Sequence, residues 1–354
     1  MMEPLPAIAE PESLTQALRR SGVLDRGRVC DVAVESSQEK LRSRTIRLRL
    51  TYDGAPTGAP GSLVLKAGLP NRGGSSSSTA RHPEVAFYNN VASIMSERLV
   101  PRCFDAGWDP GTKGWHVLLE DLTDTHFIAT TWPLPPTMQQ CESIIQTRAR
   151  FHAAWWDDPR LGVSLGIWRD ADVMDRRLRS FAEQFARFTD RHGELMSTER
   201  RELYERLLQR GLHLFERYLS HRNLTIIHGD AHVWNCFLPR DAEHGDVLLF
   251  DWEDWGIYTG TTELAYMMAM HWYPDRRHQL ERPLLDHYHA TLLEHGVSGY
   301  DRHALDEDYR LSALWQIMRP VGQEANNIPP RVWWNNLERA LLAVDDLGCR
   351  ELLA

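Results

Sequence analysis

The sequence predicts an α+β protein of two lobes, an antiparallel sheet carrying one helix followed by a mainly helical part. Three observations predict it. A chain of 354 residues exceeds what one hydrophobic core ordinarily organises. Its first third alternates short β-type runs with turn-rich stretches, and after Leu122 the apolar spacing changes to the helical period and largely stays there. The expected division is an N-terminal extension over 1–27, a sheet lobe over 28–122 and a helical lobe over 123–354.

Taken in order, the strands expected in the sheet lobe are Val32–Glu35, Thr45–Tyr52, Ser62–Lys66, Cys103–Trp108 and Trp115–Glu120. Stretches such as DGAPTGAPG and DPGTKG separate them, a spacing that suits antiparallel pairing. One helix interrupts the strands over Pro83–Arg98, where Val85, Tyr88, Val91, Ala92 and Met95 share a face. The run NRGGSSSSTA over 71–80 has glycine and serine but no GxxxxGK[ST] pattern, so it reads as a connector and not as a phosphate cradle. Helices are expected over 138–157, 171–190, 197–220, 262–273, 281–294, 304–319 and 330–346. In the first of these, Cys141, Ile145, Ala149, His152 and Trp156 mark a core-facing side. One β-like island, Leu224–Asp254, lies inside this helical part, with ionisable residues at its strand ends.

Composition narrows the function classes. No apolar run approaches the ~18 residues of a membrane span, and the start of the chain has proline and acidic residues in place of a signal-like basic and apolar pair. Five scattered cysteines without a CxxC pair suit reduced thiols, so a cytoplasmic location is expected, without a disulfide framework or structural zinc. A net charge of −9 argues against a nucleic-acid partner, and its sign suits a cationic small molecule, although most such carboxylates are solvated surface.

The island holds the parts that phosphoryl transfer requires, a carboxylate for the attacking hydroxyl and ligands for metal-held phosphates. In HGDAHVWN, Asp230 precedes Asn235 by five positions, the interval of the protein-kinase catalytic loop HRDLxxxN. Asp230 is the expected base and Asn235 an expected magnesium ligand through its amide oxygen. Asp251 ends an apolar strand and offers a hard carboxylate oxygen suited to magnesium, in a tripeptide DWE where kinases have DFG. In the sheet lobe, Lys66 of LVLKAG is placed to reach ATP phosphates, and Glu84, eighteen residues on, to pair with it. HVLLEDL reads as the strand entering a hinge, where backbone groups near Glu120 and Leu122 would meet adenine.

Over roughly residues 28–345, the ordered set Lys66, EVAFY, LLEDL, ARFHAAWW, HGDAHVWN, DWEDWG and ELAY resembles the aminoglycoside phosphotransferase and choline kinase-like superfamily. The stretch RLRLTYDGAPTGAPGSLVLK, residues 47–66, is similar to its ecdysteroid kinase-like subgroup. The resemblance implies a bilobal protein-kinase-like fold, ATP and Mg2+ as cofactors, and a small-molecule alcohol as acceptor, held by the helical lobe. By position it makes Lys66 a phosphate contact, Glu84 its anchor, Asp230 the base, and Asn235 and Asp251 metal ligands. Two departures stand out. No GxGxxG occurs around Ser36–Arg42, and ELAY has Glu263 near the position where family members often place an aspartate that braces the loop.

Two rival classes follow from the same residues. His228, Asp230 and His232, as H-x-D-x-H on an extended strand, would offer three ligands of a metal-dependent hydrolase. Against that, Gly229 suggests a turn, and His228 is then a brace of the loop. The other rival is a non-catalytic nucleotide-binding module that keeps the fold. Trp155, Trp156, Trp333 and Trp334 are expected in the core, and the acceptor pocket is expected near Asp254, Trp255, Asp306, Glu324 and Asn327.

Overall fold

A computed structural model of the chain describes residues 5–39, 43–69, 82–241 and 245–354. The connector over 71–80, and Lys40–Arg42 of the expected phosphate loop, lie outside the described residues. In chain order the elements begin with α1 (Pro11–Arg20), β1 (Arg28–Glu39), β2 (Ser43–Asp53), β3 (Ser62–Gly68), α2 (Pro83–Asn90), β4 (Cys103–Asp109), β5 (Gly114–Glu120) and β6 (His126–Ile128). There follow α3 (Met138–Ala154), α4 (Ala171–His192), α5 (Thr198–Leu219), β7 (Thr225–Ile227), β8 (Cys236–Pro239), β9 (Leu248–Leu249) and β10 (Gly256–Tyr258). The chain then runs through α6 (Thr261–Met268), α7 (Pro274–Glu294), α8 (Arg302–Gln316), α9 (Met318–Ala325) and α10 (Pro330–Asp346). Two compact units result: Met1–Ile128 with Phe237–Asp254, here the sheet lobe, and Ala129–Cys236 with Trp255–Ala354, here the helical lobe.

The sheet lobe is built on five antiparallel strands in the order β1-β2-β3-β5-β4. Period-two alternation turns Ile46, Leu48 and Leu50 of β2 and Leu63 and Leu65 of β3 to one face. There they pack with Leu14, Ala17 and Leu18 of α1, so part of the N-terminal extension is core. The same alternation sends Lys66 to the opposite face, the side of α2. Segment 237–254 joins this lobe: β8 pairs with β6, Leu249 N–H donates to Leu99 O, and Trp252, fully buried, stacks on Phe87 at 3.8 Å.

In the helical lobe the starts are set by local chemistry. Thr137 and Gln140 form a capping box on α3, and Asp170, Ser197 and Asp301 cap α4, α5 and α8, each worth about 1 kcal/mol. β7 and β10 pair antiparallel, Gly256 opposite Ile227.

Several boundaries differ from the sequence reading: the first strand runs Arg28–Glu39 against the expected Val32–Glu35, the helix expected to 157 ends at Ala154, and the helix expected over 262–273 ends at Met268. The helix expected to Arg98 stops at Asn90, where Ser93 Oγ donates to Asn89 O, local bonding that competes with a further turn. A helix expected from 281 begins at Pro274, which occupies a first-turn position, and Pro283 lies inside it. The single helix expected over 304–319 breaks after Gln316, and Met318–Ala325 is a helix of its own. Among the described residues, no helix is long and apolar enough to cross a membrane.

Candidate active site

In the sheet lobe, Lys66 gathers three carboxylates. Its Nζ lies 2.7 Å from Glu84 Oε2, 2.5 Å from Asp251 Oδ1 and 2.9 Å from Glu253 Oε1. β3 supplies the lysine, the first turn of α2 supplies Glu84, and the residues after β9 supply the other two. Asp251 sits at φ 72°, a left-handed conformation that aspartate tolerates better than most residues. Burial works to lower the Lys66 pKa, but Glu84, Asp251 and Glu253 together outweigh it and hold the ammonium above its ordinary range. The buried Glu84 carboxyl is pushed up to about 7 by desolvation, against the pull of Lys66 and with the repulsion of Asp251 and Glu253. One cation is therefore too few for this cluster. Glu84, Asp251 and Glu253 bring ligand oxygens within 4.8 Å of one another, a hard-oxygen set that fits a divalent cation such as magnesium.

Glu120 and Leu122 are engaged within their own lobe. Both Glu120 carboxylate oxygens accept from Arg98 at 2.6 Å, and Oε1 also accepts from Arg102 N–H. Glu120 N–H donates to Arg102 O, and the Leu122 carbonyl accepts from Thr125 and His126 N–H. Those groups shape the turn after β5.

Asp230 and Asn235 lie together in the helical lobe, on the loop that leaves β7. Asp230 Oδ1 accepts from Tyr266 Oη at 2.6 Å, and Oδ2 accepts from Asn235 Nδ2 at 3.2 Å. Asn235 Nδ2 also donates to Asp230 O at 3.0 Å, which directs its Oδ1 away from Asp230. His232 Nε2 is 3.4 Å from Asp230 Oδ2. Burial alone would raise the Asp230 carboxyl; the bond and charge of His232, then Tyr266 and His228, reverse this and hold it well below the usual carboxylate range.

The loop is fixed at three backbone points by charged side chains. Glu263 of α6 accepts the His228 N–H, Arg148 of α3 donates to Ala231 O at 3.0 Å, and Arg319 of α9 donates to Gly229 O at 2.7 Å. Arg148 and Glu263, both fully buried, also pair with each other at 2.5 Å. Glu263 thus does, from ELAY, what a brace must do. His228 Nδ1 accepts the Asp230 N–H at 3.3 Å, so that lone pair is committed to the loop. Among the described residues, the only group of three or more His, Cys, Asp or Glu poised to share a metal is Glu84, Asp251 and Glu253, which speaks against a His228–Asp230–His232 metal site.

Sequence reasoning did not single out Glu253, Tyr266, Arg148 or Arg319. For Tyr266 a signal existed, since it lies three residues after Glu263 and so shares its helix face. Glu253, two residues beyond Asp251, was visible only as a departure from DFG. Of the residues expected near an acceptor, Asp306 pairs with Arg302, and Glu324 with Arg191 and His192.

Solved structures share this fold. A Ralstonia eutropha protein provisionally described as an aminoglycoside phosphotransferase superposes with a TM-score of 0.60 at 14% identity, covering 96% of this chain and 98% of its own. The choline kinase LicA from Streptococcus pneumoniae gives 0.52 at 12% identity, covering 95% and 98%. The amicoumacin kinase hAmiN, in complex with AMP-PNP, Ca2+ and Ami, gives 0.52 at 12% identity, covering 94% and 93%. At such identities the likeness is one of fold, the α+β bilobal protein-kinase-like fold. No curated protein sequence matches the chain. The sequence profile described as the phosphotransferase enzyme family matches residues 56–305, well over half of the chain, and the chain belongs to that family.

Proposed function

We propose that the protein transfers the γ-phosphoryl group of ATP, with magnesium, to a hydroxyl of a small molecule, and that Asp230 is the base. The observation that carries this reading is the Asp230 loop itself, an ionised carboxylate fixed by Tyr266, Asn235 and His232 on a backbone tied down at three points. Its low basicity suits it to orient the acceptor hydroxyl first; the proton passes to Asp230 Oδ as the oxygen bonds to phosphorus and ADP departs. Lys66, held by Glu84, would contact the phosphates, and backbone groups near Glu120 and Leu122 would meet adenine. Asn235, through its amide oxygen, and Asp251 would be the magnesium ligands. Bound magnesium supplies charge neutralisation to the phosphate oxygens. The bound AMP-PNP and Ca2+ of hAmiN support nucleotide and divalent-cation use in this fold.

In this reading residues 28–122 serve the nucleotide, 123–354 carry the acceptor, and 1–27 precede both. The similarity over residues 47–66 supports a place beside the ecdysteroid kinase-like subgroup. All five cysteines are free, as a reducing cytoplasm keeps them.

The test is magnesium-dependent AMP-PNP binding followed by ADP release over an acceptor library, with Asp230→Asn alongside. Turnover is expected to fall ~10²–10⁴-fold in the variant while nucleotide binding is retained. Undiminished turnover in Asp230→Asn removes the base assignment. Nucleotide binding with no turnover leaves the non-catalytic module.

A further inference from the structure

An ammonium group has three N–H donors, and around Lys66 three carboxylates lie within reach of them. Nζ is 2.7 Å from Glu84, 2.5 Å from Asp251 and 2.9 Å from Glu253. The ring of Trp115 stands over the same atom, 5.8 Å from its centre, and the lysine side chain is only 8% exposed. A phosphate oxygen therefore reaches Nζ only when one of the three carboxylates withdraws.

The three differ in how readily they withdraw. Glu84 is fully buried in the first turn of α2, so moving it means shifting the helix or burying an unmatched charge. Asp251 has a short side chain on a backbone held at φ 72° and followed by Trp252, which is buried and stacked on Phe87. Glu253 follows that anchored tryptophan, is 24% exposed, and has one more methylene than Asp251, so side-chain torsions alone carry its carboxylate off Lys66 into solvent. The kinase tripeptide DFG has glycine at this position and no side chain to place there. In DWE a carboxylate stands on the lysine instead.

We infer that Glu253 holds on Lys66 the place of a phosphate oxygen, and that it thereby restricts the site to nucleotide accompanied by a divalent cation. This rests on the phosphotransferase reading above. A nucleotide alone brings more negative charge to a lysine that already faces three carboxylates, and a displaced Glu253 stays close enough to repel it. With a cation at Asp251 that charge is offset. Glu253, whose oxygen lies within 4.8 Å of those of Asp251 and Glu84, then leaves Lys66 against little resistance. Such coupling is reciprocal, so nucleotide strengthens cation binding by the same factor.

The test measures AMP-PNP affinity of the full chain by calorimetric titration, in EDTA and in saturating magnesium, for wild type and Glu253→Gln. Adenosine, which lacks phosphates, is titrated alongside. In EDTA the variant should bind AMP-PNP about tenfold more tightly, the equivalent of ~1.4 kcal/mol, with no matching gain in magnesium and none for adenosine. An affinity in EDTA that does not rise overturns the proposal, whether because neither protein binds there or because the variant merely loses affinity in magnesium, the mark of an ordinary ligand of the cation. An equal gain in magnesium, or for adenosine, overturns it as well, since the effect is then not tied to the cation or to the phosphates. Glu253→Ser, read in the same way, takes the place of a glutamine variant that does not fold. Failure of the parent reading shows separately, as a wild-type protein that does not bind AMP-PNP even with magnesium.

Discussion

Replacing Glu263 with glutamine removes one charge and turns the oxygen that accepts from Arg148 into an amide donor. The amide oxygen can still accept the His228 N–H, whereas the fully buried Arg148 loses its only carboxylate partner among the described contacts. Leaving one member of a buried ion pair unmatched costs about 3–5 kcal/mol. For a lobe of this length, each kcal/mol shifts the melting temperature by about 2–4 °C, so a fall of about 6–20 °C is expected in differential scanning calorimetry. The acid limb carries a second signature. Burial raises the Glu263 carboxyl, but Arg148 and then His152 and His228 more than reverse it, and its folded pKa lies below the ordinary 4.5. The stabilisation is therefore complete above that value and drains away as pH falls toward the folded-state pKa. Urea unfolding from pH 7 down to 3 should show wild-type stability converging on that of Glu263→Gln. A loss under about 1 kcal/mol at pH 7, the scale of an exposed pair, together with a gap that does not narrow in acid, would refute the brace.

Lys66→Met leaves Glu84, Asp251 and Glu253 without their cation and should destabilise the protein by about 3–5 kcal/mol. Adding Glu84→Gln should recover part of that stability in urea titrations and none of the turnover. Asp251→Asn keeps a residue suited to φ 72° while removing the charge; the ratio of AMP-PNP affinities with and without magnesium should drop by at least the ~10–100-fold seen when mere supporting groups of a metal are lost. Gly260→Ala would push a methyl group into Tyr288 Oη and His152 Nδ1, which share a 2.8 Å hydrogen bond. A loss of about 1–3 kcal/mol is expected, and an unchanged melting temperature would show that this buried corner can yield.

How much of this was legible depends on how local each feature is. The interval from Asp230 to Asn235 and the apolar strand ahead of Asp251 are properties of a few consecutive residues, and they read directly from the chain. Lys66 and Glu84 meet because one alternates on a strand and the other opens a helix, and both facts are local. Arg148 is 115 positions from Glu263, and Arg319 is 90 from Gly229; no short-range spacing encodes such partners, and a charged residue in a helix reads as surface until its neighbours are known. The early stop of α2 is a contest between helix bonding and Ser93 side-chain bonding that apolar periodicity cannot register. The packing of α1 escaped for a related reason, since its short apolar stripe has meaning only against the face of β2 and β3.

That packing separates two boundaries that are easily equated. The family profile begins at residue 56, past α1 and the first two strands. A protein trimmed to that limit would lose two of its five strands and the helix that seals them. β3 would become an edge, its backbone N–H and C=O groups open to any extended peptide, and Leu63 and Leu65 would face water. The strand carrying Lys66 would then be the stickiest surface of the fragment, and aggregation would mask whatever chemistry the remaining residues retain.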